Sequence, residues 1–258
     1  MRYENPLYMV EDAGAADLIS GGRLQLGISR GSPEQVIKGY EYFGHVPEPG
    51  ETDADMARRH TARFLEVLEG EGFAEPNPRP MFPNPPGLLR LEPHSPGLRR
   101  RIWWGAGSRA TAIWTAQQGM NLMSSTLLTE DTGVPFHRLQ AEQIQLFRDA
   151  WAEAGHGWEP RVSVSRSIFP IVNDLDRRLF GLETRSQDQV GFLDGGKARF
   201  GKTYAGEPDQ LVEQLAEDEA IAAADTLLLT IPNQLGVDYN AHLLRSVVEH
   251  VAPGLGWR

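Results

Sequence analysis

Arg30 and the stretch Gly105-Ala106-Gly107-Ser108-Arg109-Ala110-Thr111 are the residues whose types and spacing could do chemistry in this chain. The second follows an apolar Ile102-Trp103-Trp104 run and opens a helical pattern, so its early backbone amides should lack partners within the helix. Glycine at 107 lets a ligand approach the backbone, and the hydroxyls of Ser108 and Thr111 add donors, a combination suited to a phosphate. The same residues also match Gly-x-Gly-x-x-Ala, which would suit a nicotinamide dehydrogenase with Glu130 or Asp131 as the ribose acid. Compact packing of a glycine turn is the bland alternative. Arg30 ends the apolar run Leu24 to Ile28, where an arginine could fork onto a phosphate or simply cap a surface loop.

Other candidate chemistries find less support. The chain of 258 residues has no cysteine, which excludes disulfides and thiolate catalysis. Its seven histidines show no metal-ligand spacing, and no metal is expected. His45 is read as an ordinary loop histidine that could line a pocket. Ser29, Ser124 and Ser125 have no evident base, so no catalytic nucleophile is assigned. A formal net charge of −10 argues against a nucleic-acid surface, and no apolar run reaches the roughly 20 residues of a membrane helix. A cytoplasmic protein acting on a small molecule is the expectation.

Periodicity supplies the elements that would position these residues. Helices are expected at Val10 to Ile19, Glu34 to Tyr42, Asp53 to Leu68, Arg109 to Gln118, Pro135 to Ala154, Asp209 to Ala223 and Tyr239 to Val251. Strands are expected at Leu24 to Ile28, Arg101 to Trp104, Met120 to Ser124, Arg161 to Ile171 and Thr226 to Ile231. Residues Ala74 to Gly97 hold eight of the 18 prolines and should form an irregular excursion, while Asn173 to Tyr204 is looser. Strand followed by helix implies parallel strands, and no hairpin is expected, since Asp194-Gly195 lacks alternating flanks. Arg99-Arg100-Arg101 should lie on a solvated edge, and Trp103, Trp104 and Trp114 in the core.

Two stretches resemble a known family. Ser20-Gly21-Gly22-Arg23-Leu24-Gln25-Leu26-Gly27-Ile28-Ser29-Arg30-Gly31, with Gly39-Tyr40-Glu41-Tyr42-Phe43-Gly44, is similar to the fourth strand and following loop of bacterial luciferase-like flavin monooxygenases. Trp104 to Ser108, continuing to Gly119, resembles the fifth strand and helix, and a weaker likeness runs through Gly206-Glu207-Pro208 to the C-terminus. The resemblance implies an α/β fold of (β/α)8 TIM-barrel type, here an incomplete barrel of about five units forming one domain over 1–258. It implies reduced FMN from a separate flavin reductase, O2, and oxygenation of an organic substrate through a flavin C4a-(hydro)peroxide. The deazaflavin F420 is the alternative cofactor, and a homodimer the expected assembly. By residue match, Arg30, Gly107, Ser108 and Thr111 would hold the cofactor phosphate, and no catalytic residue can be named. Ser29 stands where luciferases carry a cysteine. Family members begin with three further βα units, so the chain is expected to be a truncated product or to rely on another chain. A non-catalytic flavin-binding subunit is the alternative function.

Overall fold

The computed structural model describes residues 1–31, 36–193 and 196–257, which cluster into two compact units, Met1–Gly105 and Ala106–Arg258.

In the first unit, α1 (Pro6–Ile19) starts where the Asn5 carboxamide accepts the amides of Leu7 and Tyr8, with Pro6 at its first position. It ends at Ser20, after which Gly21 and Gly22 take positive φ of 69° and 78°, a reversal cheap only for glycine. Strand β1 (Leu26–Ile28) follows. Helix α2 (Asp53–Leu68) is opened by a reciprocal box between Thr52 and Asp55 and buries Met56, Ala57, Phe64, Leu65 and Leu68. Strand β2 (Ile102–Gly105) pairs parallel with β1, Leu26 opposite Ile102 and Ile28 opposite Trp104. A helix between parallel neighbours is the expected crossover.

The proline-rich stretch is irregular apart from one bridge between Ala74 and Leu89. Two expectations need correction. The helix expected at Glu34 to Tyr42 falls partly on 32–35, outside the described residues, and the remainder is a turn and a 3-10 segment, Gly39–Phe43. Of the triple arginine, Arg100 is exposed as expected, but Arg99 and Arg101 are not on a solvated edge. Arg101 donates to Asp17 at 2.5 Å and Arg99 to Glu69 at 3.0 Å. Asp17 is fully buried and also accepts from Ser95 and from the Leu24 amide, so one carboxylate ties the end of α1 to the entries of β1 and β2.

The second unit opens with α3 (Arg109–Gln117), β3 (Asn121–Ser124), the short β4 (Leu127–Leu128) and α4 (Phe136–Ala154). Next come β5 (Val162–Arg166), β6 (Ile168–Pro170), α5 (Asp174–Phe180), β7 (Gln189–Leu193), β8 (Gly196–Phe200) and β9 (Tyr204–Gly206). Helices α6 (Pro208–Ala216) and α7 (Glu219–Ala223), strand β10 (Thr226–Leu229) and α8 (Gly236–Ser246) complete it, α8 continuing as a π turn over Val247–Val251. Strand β5 lies between β3 and β10, all parallel, with Met123 opposite Ser163 and Ser163 opposite Thr226. Outward residues Leu227 and Leu229 pack with Ile168, Leu211, Leu215, Val247 and Val251. Both units thus have parallel strands joined by helices, the α/β class expected.

Two expected elements divide here, and one unexpected pairing occurs. The strand Arg161 to Ile171 changes partner at its middle: Thr230 donates to the Arg166 carbonyl, whereas Tyr204 donates to that of Ser167, so β6 pairs with β9. The helix Asp209 to Ala223 breaks because the Asp218 carboxylate accepts the amides of Ala220 and Ile221 and starts α7 afresh. Asp194 and Gly195 lie outside the described residues, but the strands on either side of them pair as in a hairpin. β7 and β8 pair antiparallel, Leu193 opposite Gly196, and β8 pairs with β4, so not every strand leads into a helix. On this ribbon the large apolar Val190 and Phe192 are exposed while the small Ala198 is buried, so the apolar-in alternation by which hairpin strands are recognised is missing.

Candidate functional site

The turn from β2 into α3 is braced on its carbonyl side. Gln143, fully buried on α4, donates its Nε2 to the carbonyls of Ala106 and Ser108, each at 3.1 Å. Thr129 donates both its amide and its hydroxyl to the Gly107 carbonyl, at 2.7 and 3.0 Å. Since the N–H of a trans peptide points opposite to its carbonyl, holding three successive carbonyls sets where the following amides face. Among the described residues, the amides of Gly107, Ser108 and Ala110 make no hydrogen bond within the chain. They sit at the positive end of α3, whose first turn has no acidic residue.

Two amides expected to be unpartnered are taken. The Thr111 amide donates to Ser108 Oγ at 3.2 Å, the ordinary N-cap bond, and the two hydroxyls lie 2.9 Å apart. The Arg109 amide donates to Glu130 Oε2 at 3.2 Å, and Arg109 Nε to the same oxygen at 3.1 Å. Arg109 also reaches Glu142 at 3.5 Å. A Cβ placed on Gly107 would come no closer than 3.5 Å, to Thr129, which is ordinary contact. The chain itself therefore does not need glycine at 107.

Residues 129 to 131 connect this turn to a cavity of about 390 Å³ at the head of α4. Thr129 holds Gly107, Glu130 holds Arg109, and Asp131 accepts from Arg199, which lines the cavity with Phe136, His137, Arg166, Lys202 and Tyr204. At its floor Arg166, 2% exposed, forks onto Asp218 at 2.8 and 2.9 Å, and the Tyr204 hydroxyl donates to Asp218 at 2.7 Å. Burial works to raise the Asp218 pKa, but hydrogen bonding and attraction from Arg166 hold it below the usual carboxylate value. Burial, reinforced by the Asp218 charge, pushes the Tyr204 phenol up. The pair is saturated by its own partners and has no proton to exchange near neutrality.

In the first unit, Arg30 lies two residues beyond the end of β1 and is half-buried. Its carbonyl accepts from Arg2 Nε at 3.2 Å, and Arg2 reaches Asp53 at 2.5 Å, so the backbone at the strand end is tied to α2. His45 contacts the Tyr3 carbonyl and lies edge-on to His60 at 5.1 Å, and burial lowers the His60 pKa. Trp103 and Trp104 are buried and Trp114 half-buried, as expected of core residues. Ser124 is hydrogen-bonded by Gln140 and Gln143, neither a base. Glu130 and Asp131, the alternative ribose acids, each engage an arginine.

Sequence reasoning located the α3 turn and missed Gln143, Thr129 and the Arg109–Glu130 contact, for which no local signal exists. Among the described residues there is no cluster of metal-ligating side chains, and no helix is long and apolar enough to cross a membrane. Chemically, the α3 turn offers preset amide donors to an anion.

Comparison with known proteins gives these features a context. The model of the family described as luciferase-like monooxygenase matches residues 3–179. No curated protein sequence matches. Among solved structures, the monooxygenase RslO1 from Streptomyces bottropensis superposes with a TM-score of 0.66 at 16% identity, over 98% of this chain and 75% of that one. The oxygenating constituent of 3,6-diketocamphane monooxygenase from Pseudomonas putida, a type II Baeyer-Villiger monooxygenase in complex with FMN, gives 0.65 at 16%, over 98% and 77%. The coenzyme F420 dependent tetrahydromethanopterin reductase from Methanopyrus kandleri gives 0.59 at 14%, over 97% and 79%. These likenesses show the fold, an incomplete α/β barrel of the TIM type.

Proposed function

The chain belongs to the luciferase-like monooxygenase family, and from that premise we propose that it is a flavin-dependent monooxygenase acting on a small organic molecule. In this reading it takes reduced FMN from a separate flavin reductase, uses O2 as co-substrate, and works as a homodimer.

The observation that carries the proposal is the α3 turn, with its carbonyls held by Gln143 and Thr129 and the amides of Gly107, Ser108 and Ala110 without acceptors in the chain. A phosphate ester fits that donor set. The Ser108–Thr111 hydroxyl pair has one proton more than its mutual bond consumes, so one hydroxyl can also donate. Room beside Gly107 allows close approach. We assign the flavin phosphate to Gly107, Ser108 and Thr111, and propose Arg30 as a further cofactor-binding residue by residue match alone. The bound flavin would supply the electrons that activate O2. The protein's own part is to hold the phosphate and so anchor the ring.

F420 also carries a phosphate, and the F420-dependent reductase among the structural neighbours makes it the competing cofactor. Titration of the purified chain with FMN, F420 and NADPH separates the readings. FMN binding that Arg30→Ala weakens tenfold or more is expected, and turnover with an added reductase should place one atom of ¹⁸O₂ in the product. Binding of F420 alone would transfer the reaction to deazaflavin chemistry, and binding of NADPH alone would sink the proposal in favour of a dehydrogenase. FMN binding without turnover for any substrate would leave a flavin-binding subunit.

A further inference from the structure

We infer that Glu130 limits the affinity of the α3 turn for phosphate, making it a site built to release its flavin. The inference rests on reading that turn as the phosphate site.

A phosphate at a helix start is ordinarily met by backbone amides and the nearest cation. The cation on the turn itself is Arg109, and Glu130 Oε2 occupies both its amide and its Nε–H. Glu142 approaches the other end of the same guanidinium at 3.5 Å. Among the side chains paired at the start of α3, one cation meets two carboxylates, a formal surplus of one negative charge within that group. Asp131, the next acid along, is neutralised by Arg199 at 2.7 Å and adds nothing. The turn thus combines three amides without acceptors and a local charge of the wrong sign for the anion they suit.

Glu130 is no passive surface acid. Its side chain is 27% exposed and meets Arg109 from the loop that also holds Gly107 through Thr129. The amides on either side of Arg109 in sequence are those of Ser108 and Ala110, so a phosphate bound there has its oxygens within about 5–7 Å of the carboxylate, inside one Debye length at physiological salt. Repulsion of a phosphomonoester dianion at that distance, with water between, amounts to roughly a factor of ten in affinity. A flavin delivered reduced by another protein must leave oxidised after each turnover, and a carboxylate at the phosphate speeds that exit.

The experiment compares FMN and riboflavin binding in wild type and Glu130→Gln. Glutamine keeps an acceptor for the Arg109 amide and removes only the charge. FMN should bind about 5–10-fold tighter to E130Q at 50 mM salt, with slower release, and the gap should narrow at 0.5 M as screening grows. Riboflavin, lacking phosphate, should bind both proteins equally. Glu142→Gln, at a residue that is half exposed and farther from the amides, should shift FMN binding in the same direction by less and keeps the test open should E130Q fold poorly. Equal or weaker FMN binding by both variants overturns the inference and leaves the cofactor proposal standing, as does a gain shared by riboflavin. No FMN binding by any of the proteins overturns the cofactor proposal and this inference with it.

Discussion

Replacing Gln143 by leucine separates the brace behind the α3 turn from the helix that carries it. Gln143 is fully buried; it donates to the carbonyls of Ala106 and Ser108 and accepts from Ser124 Oγ at 2.6 Å. Leucine fills nearly the same volume, so the change removes hydrogen bonds without opening a cavity. Three lost bonds at about 1 kcal/mol each, less about 1 kcal/mol regained from burying an apolar group, give a loss of roughly 2 kcal/mol. For a chain of this size that lowers Tm by about 4–8 °C. The Ser108 carbonyl keeps the Ala112 amide, so α3 itself should persist. What is lost is the orientation of the peptides at 106 and 108. Re-ordering one or two residues on binding costs about 1–2 kcal/mol each, and a cost of about 2 kcal/mol, within that range, predicts FMN affinity tenfold or more weaker.

Gln140→Leu is the matched control. Gln140 is equally buried on the same helix and donates to Ser124 Oγ and the Ser125 carbonyl, but does not touch the turn. Urea melts and FMN titrations on both variants make the measurement. Both should lose stability, and only Q143L should lose affinity beyond about threefold, a margin small against the tenfold expected from re-ordering the turn. If Q143L binds FMN as Q140L does, the brace does not set the amides and the reasoning is wrong.

Further predictions concern the cavity floor and the glycine. Asp218→Asn strands the buried Arg166 guanidinium and should cost about 3–5 kcal/mol, read by urea denaturation. Because the folded-state pKa of Asp218 lies below the ordinary 3.8, its contribution is fully present above that value and lost as pH falls through the folded value; D218N should flatten the acid limb of the stability profile. Gly107→Ala should leave Tm unchanged within 1–2 °C, since its Cβ meets only Thr129 at 3.5 Å, yet weaken FMN tenfold or more if the phosphate approaches the backbone there. A matching fall in Tm would instead assign the glycine to packing.

Local signals carried the fold a long way. The Thr52–Asp55 box, Pro6 and Pro208 at helix starts, and the apolar spacing of α2 and α4 lie within a few residues of one another, so their elements were readable to within a few positions. Asp218 was also visible in principle, an N-cap residue inside an amphipathic run, but the run's continuity concealed the break. Elements defined by long-range pairing were not readable. β5 and β6 divide only because Thr230 and Tyr204 choose successive carbonyls, and β7 with β8 exposes its large apolar Val190 and Phe192 while burying the small Ala198. At the site the same boundary holds. The small residues and caps of the α3 turn are consecutive, whereas Gln143 lies 37 residues from Ala106 and Glu130 21 from Arg109.

The two arginine–carboxylate contacts flanking residues 129–131 serve opposite ends, and burial explains why. Arg166 and Asp218, at 2% and 0% side-chain exposure, are beyond the reach of mobile ions, and their worth lies in not being broken. Arg109 and Glu130, at 34% and 27%, remain in contact with water and ions, where a pair contributes little to stability. A charge that contributes little to folding is free to be placed for binding. Raising salt from 0.05 to 0.5 M should therefore leave the D218N stability loss essentially unchanged, while reducing the difference in FMN affinity between E130Q and wild type by more than half. A D218N loss that fades with salt would mean that water and ions reach the cavity floor, contrary to the burial from which its cost was worked out.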